Sequence, residues 1–295
     1  MGKADLHSHT KYSGMTKVVV ISLPDSVTEP VELARAAERR GLDVLCVTDH
    51  NSIKGAVKVK QEARSVEVVM GEEVGAVEGE VIGLFISEMI PKGLSAGETI
   101  DRIHSLGGLA IAPHPFSAHC SSLGKMVFDL PLDGIEVFNA AHRDRYSNQI
   151  AQKLCEGSKK ALTGGSDAHG PAMVGDAYTT FDGSTGEDLR KAILQRRTNY
   201  GGSHSSLRNL VWMTTNTALE MQDIIKRSVF TDDPPDDTDY AEAIYGMRRI
   251  SKIVSFMGIM AFLAPPATVL AGLIGDRVHR SNSKAMWEQM NRGTG

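Results

Sequence analysis

Residues 30–50 read PVELARAAERRGLDVLCVTDH, and the fold is decided here. Pro30 opens a helical pattern, because its fixed φ suits a first turn, and Gly41 stops that pattern after Arg39 and Arg40. A short apolar run at 44–47 follows, and Thr48, Asp49 and His50 end it. Helix, glycine, buried strand and polar tip together make one unit of an α/β protein. The unit recurs along the chain. Strand-like runs fall at 4–6, 44–47, 67–70, 81–86, 109–112, 134–138 and 161–163. Helix-period stretches fall at 30–40, 53–64, 98–106, 147–157 and 185–197, and Gly107-Gly108 ends one of them as Gly41 ends the first. Such alternation predicts a parallel sheet, open or closed. Seven strands with no GxGxxG opening favour a closed α/β barrel over a dinucleotide-binding sheet.

Composition sets the outer bounds. Apolar residues are 41% of the 295 and charged ones 23%, which supports a packed core and excludes a disordered tail. A mean hydropathy of −0.16 excludes a multi-spanning membrane protein. The net charge of −4 provides no basic field for long nucleic acid, so a polyanion would have to be bound locally. Cys46, Cys120 and Cys155 are scattered and odd in number, which argues against a disulfide framework and for a reducing compartment. The opening residues contain no apolar run of the secretory kind.

The chain divides near Gly201-Gly202: of ten histidines, only His204 and His279 lie beyond it. Residues 1–202 form the expected catalytic domain and 203–252 a helical extension. That extension holds an acidic, proline-split linker, Thr231-Asp232-Asp233-Pro234-Pro235-Asp236-Asp237, with no packing face. Residues 253–275 lack any charge, and 276–295 form a basic tail. A run of 23 uncharged residues exceeds the roughly 18 that mark a transmembrane candidate. The expectation is therefore a membrane-anchored C-terminus, with the catalytic domain in the cytoplasm and the acidic linker as spacer. Pro265-Pro266 leaves a kinked span, a re-entrant hairpin or a soluble helical pair as alternatives.

Ligand-type residues gather at the strand ends. Asp5, His7 and His9 leave the first run, His50 the second, Glu72 and Glu73 the third, His114 the fifth, Asp167 and His169 the seventh. In a parallel barrel those ends share one mouth. His7 and His9 are two apart on extended chain, so both rings point the same way. Imidazole with carboxylate and no thiolate suits Mn²⁺, Zn²⁺ or Fe²⁺ better than Ca²⁺ or Mg²⁺. Asp5 and Asp49 read as partners that orient ligating histidines. Glu72 reads as a rim acid and His104 as structural.

DLHSHT, TDHNS, GEE, PHP and SDAH, in this order over residues 1–200, resemble the polymerase-and-histidinol-phosphatase (PHP) family of metal-dependent phosphoesterases. The resemblance implies a distorted (β/α)7 barrel with two or three divalent ions, Mn²⁺ first among them and Zn²⁺ or Fe²⁺ as alternatives. It implies that His7, His9, Glu73 and Asp167 hold one ion, that Glu73 and His114 hold a second, and that His50 and His169 hold a third. Two departures stand out. The family's Ser-Asp-Gly after the HxH segment is Ser13-Gly14 here, without its Asp. Residues 14–24 then read as an insertion and Asp25 as the displaced ligand, the alternative being a turn or helix-cap Asp before Pro30. Before Ile82-Gly83-Leu84 the family has a histidine, and this chain offers Glu80, as a ligand or as a solvated turn residue.

The implied chemistry is hydrolysis of phosphate esters by metal-activated water, with Glu73, Asp167 and His169 as the catalytic set. The branch resembled acts on nucleotides or on the 5′ ends of short RNA or DNA. Alternatives are a histidinol-phosphate-type phosphatase, an amidohydrolase and a non-catalytic, membrane-attached metal sensor. Asn139, His142, Arg143 and His119, on loops after the fifth and sixth strands, are candidates to touch substrate.

Overall fold

The computed structural model describes residues 1–18, 21–263 and 267–292. Among these, eleven strands form in chain order: β1 (Gly2–Asp5), β2 (Met15–Val18), β3 (Ile21–Pro24), β4 (Val44–Val47), β5 (Glu67–Gly75), β6 (Glu80–Leu84), β7 (Leu109–Ala112), β8 (Gly134–Asn139), β9 (Ala161–Gly165), β10 (Ala177–Phe181) and β11 (Asn199–Gly202). All seven expected runs are strands. Nine strands make one sheet in the order β11-β10-β1-β4-β5-β6-β7-β8-β9, and β2 and β3 pair as a separate hairpin. The sheet curls until its ends meet. Gly164 on β9 and Thr179 on β10 exchange two hydrogen bonds of 2.9 Å. A Cβ at Gly164 would lie 2.9 Å from the Tyr178 carbonyl oxygen, so the closure needs glycine there. The result is a barrel-like α/β fold.

The sheet is not wholly parallel. β1, β4 and β5 run parallel, as do β7, β8 and β9, but β6 is antiparallel to both its neighbours. Only residues 76–79 separate β5 from β6, too few for a crossover, so the chain can only return as a hairpin. This reversal brings the start of β6 to the mouth, beside the end of β5.

Five helices cover the outside: α1 (Pro30–Arg39), α2 (Lys54–Glu62), α3 (Ala96–Ser105), α4 (Tyr146–Cys155) and α5 (Gly186–Leu194). Capping boxes Ser95/Glu98 and Thr185/Asp188 start α3 and α5. Helix α3 buries Ile100 and Ile103 completely against the sheet, a contribution of roughly 1.5–3 kcal/mol each.

The C-terminal region is helical: α6 (Leu207–Phe230), α7 (Asp239–Tyr245), α8 (Arg249–Leu263) and α9 (Ala267–Arg292). Two expectations for it need correction. First, no helix among the described residues is long and apolar enough to cross a membrane. The uncharged run is divided between α8 and α9, and Pro265 and Pro266 lie outside the described residues. Helix α8 has 15 residues, about 22 Å at ~1.5 Å per residue, short of the roughly 30 Å hydrocarbon core. Its Ile259 is buried, and Phe256, Phe262 and Leu263 pack on the same core as α6 and α7. Second, the acidic segment is not a free spacer. Lys11 Nζ donates to Asp236 at 2.9 Å, and Asp237 accepts from Tyr12 Oη at 3.1 Å and Lys58 Nζ at 3.3 Å. Its carboxylates tie the helical region to the chain just after the HxH segment.

Candidate metal centre

The mouth collects every residue read as a ligand. His7, His9, Asp25, His50, Glu73, Glu80, His114, Asp167 and His169 form overlapping groups whose ligand atoms lie within 4.8 Å of one another. Glu73 is the hub. Its Oε2 lies 3.1 Å from His7 Nε2, 3.4 Å from His9 Nε2 and 3.4 Å from His50 Nδ1, and its Oε1 lies 3.1 Å from His114 Nε2. Asp167 Oδ1 sits 3.5, 3.3 and 3.4 Å from His7 Nε2, His9 Nε2 and His169 Nδ1.

Both departures lie at the mouth. The hairpin β2–β3 loops out and returns, and the Asp25 backbone N–H donates to the Gly14 carbonyl at 3.0 Å. Asp25 thus stands where the chain would have been without the detour. Its Oδ2 lies 3.0 Å from His169 Nε2 and 3.9 Å from His50 Nε2. It is not a helix cap, since Glu29 holds that position before Pro30. Glu80 opens β6 and faces His50 Nδ1 at 3.8 Å and His114 Nε2 at 3.9 Å. It begins its strand yet lies at the mouth because β6 runs backwards.

The donor set fits divalent ions. His9 Nε2 is buried and has two carboxylate oxygens within 3.4 Å, yet makes no hydrogen bond to either. Asp25 Oδ2 and His114 Nδ1 are likewise buried without hydrogen-bond geometry. Converging lone pairs with no proton between them are what a cation satisfies. Burial pulls His114 and His169 down, but Glu73 and Asp25 respectively outweigh it and hold them up at about 9 and about 10. Burial likewise opposes His7, but Asp167, Glu73 and Glu136 raise it well above the ordinary range. Burial works to raise Glu73 and Asp167, but the histidines around them draw both far down. Glu80 is raised to about 7, first by burial and then by the Glu73 carboxylate. Ions would displace protons from these groups.

Two of these residues sit on left-handed backbone, His114 at φ 27° and Asp167 at φ 52°. Such residues persist where neighbours over-determine them. The His114 N–H donates to Glu136 Oε2 at 2.8 Å, and the Asp167 N–H donates to the His7 carbonyl at 2.8 Å.

Glu136 escaped the sequence reading. It is buried on β8, its Oε1 pairs with His7 Nδ1 at 3.2 Å, and its Oε2 accepts from Asn139 Nδ2 at 2.9 Å. The signal was a lone acid in the apolar strand Gly134–Asn139. Asp5 and Asp49, expected to orient imidazoles, grip chain instead. Asp5 accepts from the Ser166 hydroxyl and from the backbone N–H groups of Ser166 and Gly175, and Asp49 from Thr10 N and Oγ1. Glu72 is no rim acid: it is fully buried, points away from Glu73 and accepts from the Ile90 N–H at 2.9 Å. His104 pairs with Asp133 on the outer surface.

The expected substrate residues are more engaged than free. Asn139 spends both amide hydrogens on Glu136 and Asp167. Arg143 donates to the Ser205 carbonyl at 2.5 Å and pairs with Asp276 of α9 at 3.4 Å. His119 stacks between His142 and His279, at 4.7 and 4.0 Å between ring centres. A cavity of about 810 Å³ opens over the ligand cluster, walled on its far side by Met173, Leu207, Leu210, Ile259 and Phe262.

The chain is 55% identical over 151 residues to the uncharacterized protein MJ1587 of Methanocaldococcus jannaschii, covering 50% of this chain and 88% of that one. It is 37% identical over 120 residues to MJ0417 of the same organism, covering 38% of this chain and 51% of that protein. The crystal structure of PsfC from Pseudomonas syringae shares the fold, with a TM-score of 0.56 and 22% identity over 74% of this chain and 98% of that one. Residues 145–198 match the model of the PHP-associated family. Profile, fold and the ordered mouth residues converge: the chain belongs to the PHP family.

Proposed function

We propose that the protein is a metal-dependent phosphoesterase acting on a small phosphate monoester of nucleotide size. The observation that carries this is Glu73, one buried carboxylate set among four imidazoles, a donor set that would hold divalent ions. Divalent ions bound here would neutralise a phosphoryl group and bring a water's pKa toward neutrality. The chain's own residues do the positioning. Glu136 fixes the His7 ring through Nδ1, Ser13 Oγ fixes His9 at 3.0 Å, and the Asp167 carbonyl fixes His169 at 2.9 Å. Each ring then turns its other nitrogen to the cluster. Asp167 and Glu73, with the imidazoles around them, would hold the ions, and His169 with Asp25 lines the same mouth.

The far wall favours a small substrate over a polymer. Helices α6, α8 and α9 stand across the mouth; α6 and α8 present largely apolar side chains there, and α9 presents Asp276 and His279. The Arg143 guanidinium already pairs with Asp276 and the Ser205 carbonyl, so most of the phosphate charge would be met by the ions. Cavities of roughly 300–1,000 Å³ suit single small molecules.

The test is a substrate panel on the full chain with Mn²⁺: nucleoside 3′,5′-bisphosphates, 5′-phosphorylated oligonucleotides, histidinol phosphate, and amides. Release of phosphate from the small esters, abolished by chelation, is the expected result. Turnover of amides alone, or full activity in a metal-free sample, would overturn the proposal.

A further inference from the structure

Beside the ligand cluster lies a second group of metal-binding side chains that the phosphoesterase reading leaves unused. We infer that His119, Cys120 and His142 form a separate site for a soft divalent ion of the Zn²⁺ kind. One ligand atom from each of the three lies within 4.8 Å of the others. His119 and Cys120 are neighbours on the loop after β7, and His142 is brought to them by the fold from the loop after β8.

The site is built around Ser117. Its Oγ accepts the backbone N–H groups of His119 at 3.2 Å and Cys120 at 2.9 Å, and it pairs with His142 Nε2 at 2.8 Å. One hydroxyl therefore sets the loop and the ring together. It leaves His142 Nδ1 buried with no hydrogen-bond partner, on a side chain only 2% exposed. A ligating histidine is usually held in this way, by a partner on its other nitrogen. His279 of α9 lies flat on His119, with ring centres 4.0 Å apart and planes within 4°. That contact fixes the His119 ring from outside.

The donor set separates this site from its neighbour. The main cluster offers only nitrogen and oxygen, which suits Mn²⁺. A thiolate with two imidazoles selects Zn²⁺ and rejects Mn²⁺. All three residues line the cavity that opens over the main cluster. Cys46 and Cys155 are buried, so Cys120 is the exposed thiol of the three. No disulfide partner competes for it among the described residues.

Cobalt reports on this directly, because a thiolate bound to Co²⁺ gives a near-ultraviolet charge-transfer band that nitrogen and oxygen ligands do not. Full-length metal-free protein would be titrated with Co²⁺, alongside Cys120→Ser, His142→Ala and His7→Ala, each checked for fold by circular dichroism. The expected result is a thiolate band that survives in His7→Ala, is lost in Cys120→Ser and His142→Ala, and accounts for one ion more than Cys120→Ser binds. Zn²⁺, but not Mn²⁺, should also slow alkylation of Cys120 at least tenfold. A band that is absent at saturating Co²⁺, or that persists in Cys120→Ser or His142→Ala, would overturn the assignment. If His142→Ala does not fold, Zn²⁺ protection of Cys120 in the unaltered chain decides the matter: no protection refutes the site.

Discussion

Glu136→Gln tests whether the metal centre depends on the proton of one ring. Glu136 Oε1 faces His7 Nδ1, while Oε2 accepts two hydrogen bonds, from the His114 N–H and from Asn139 Nδ2. A glutamine keeps those two bonds only if its carbonyl takes the Oε2 place. Its NH₂ group then faces His7 Nδ1 and must donate to it. The imidazole proton is forced onto Nε2, the atom 3.1 Å from Glu73 that should give its lone pair to an ion. The opposite amide orientation avoids this but sets NH₂ against two donors. Either way a charge-assisted hydrogen bond is lost, about 1.5–3 kcal/mol. At about 1.36 kcal/mol per factor of ten, that is roughly a 10- to 150-fold weaker hold on the ion. The range matches the roughly 10–100-fold seen when a partner behind a metal ligand is removed. Mn²⁺ titration by calorimetry, with phosphate release alongside, measures it. A folded Glu136→Gln protein within twofold of the parent in both would refute the role given to Glu136.

Asp25→Ala should lower the number of bound ions by one and remove most of kcat; a loss of only about 1 kcal/mol in stability, the size of a turn or cap effect, would show that Asp25 merely closes the hairpin. The metal-free protein should lose thermal stability as pH rises from 6 to 10. His114 and His169, with folded pKa values of about 9 and 10, stabilise fully below the unfolded value near 6.5 and lose that contribution through their folded values. Asp5 and Asp49, raised by burial to about 6 and about 7, push the same way from lower pH, so a Tm that climbs over this range would contradict the protonated cluster. Lys11→Ala removes the contacts to Glu29 and Asp236 and should cost about 1 kcal/mol, seen as faster proteolysis between Phe230 and Asp239; unchanged cleavage would sink the clamp.

Much of this was legible in the residues, for reasons that also explain the rest. The seven inner strands are buried on both faces, so they appear as apolar runs. β10, with the residues AYTTF, alternates buried and half-exposed positions, and β11, with NYGG, is mostly exposed. Neither shows a continuous run. The candidate ligands were visible because imidazole and carboxylate at strand ends have few other uses. Glu136 was hidden inside a strand that reads as core. Asp276 and His279 reach the mouth from over 100 residues away, and nothing local announces it. The antiparallel return of β6 could have been inferred from the four residues available to make the turn.

The hairpin β2–β3 binds the two regions together more closely than the break at Gly202 suggests. Leu23 is buried not in the barrel but among Ala218, Met221, Ile224 and Ile225 of α6, and Met15 packs there too. The same short hairpin delivers Asp25 to the ligand cluster. A protein shortened at residue 202 would keep every histidine of the cluster and still strip the apolar support from the segment that carries Asp25. Excision of the helices and loss of a ligand are thus one event, and the C-terminal region cannot be exchanged or discarded as an independent module. Any evolutionary drift in α6 is answerable, through Leu23, to the geometry of the mouth.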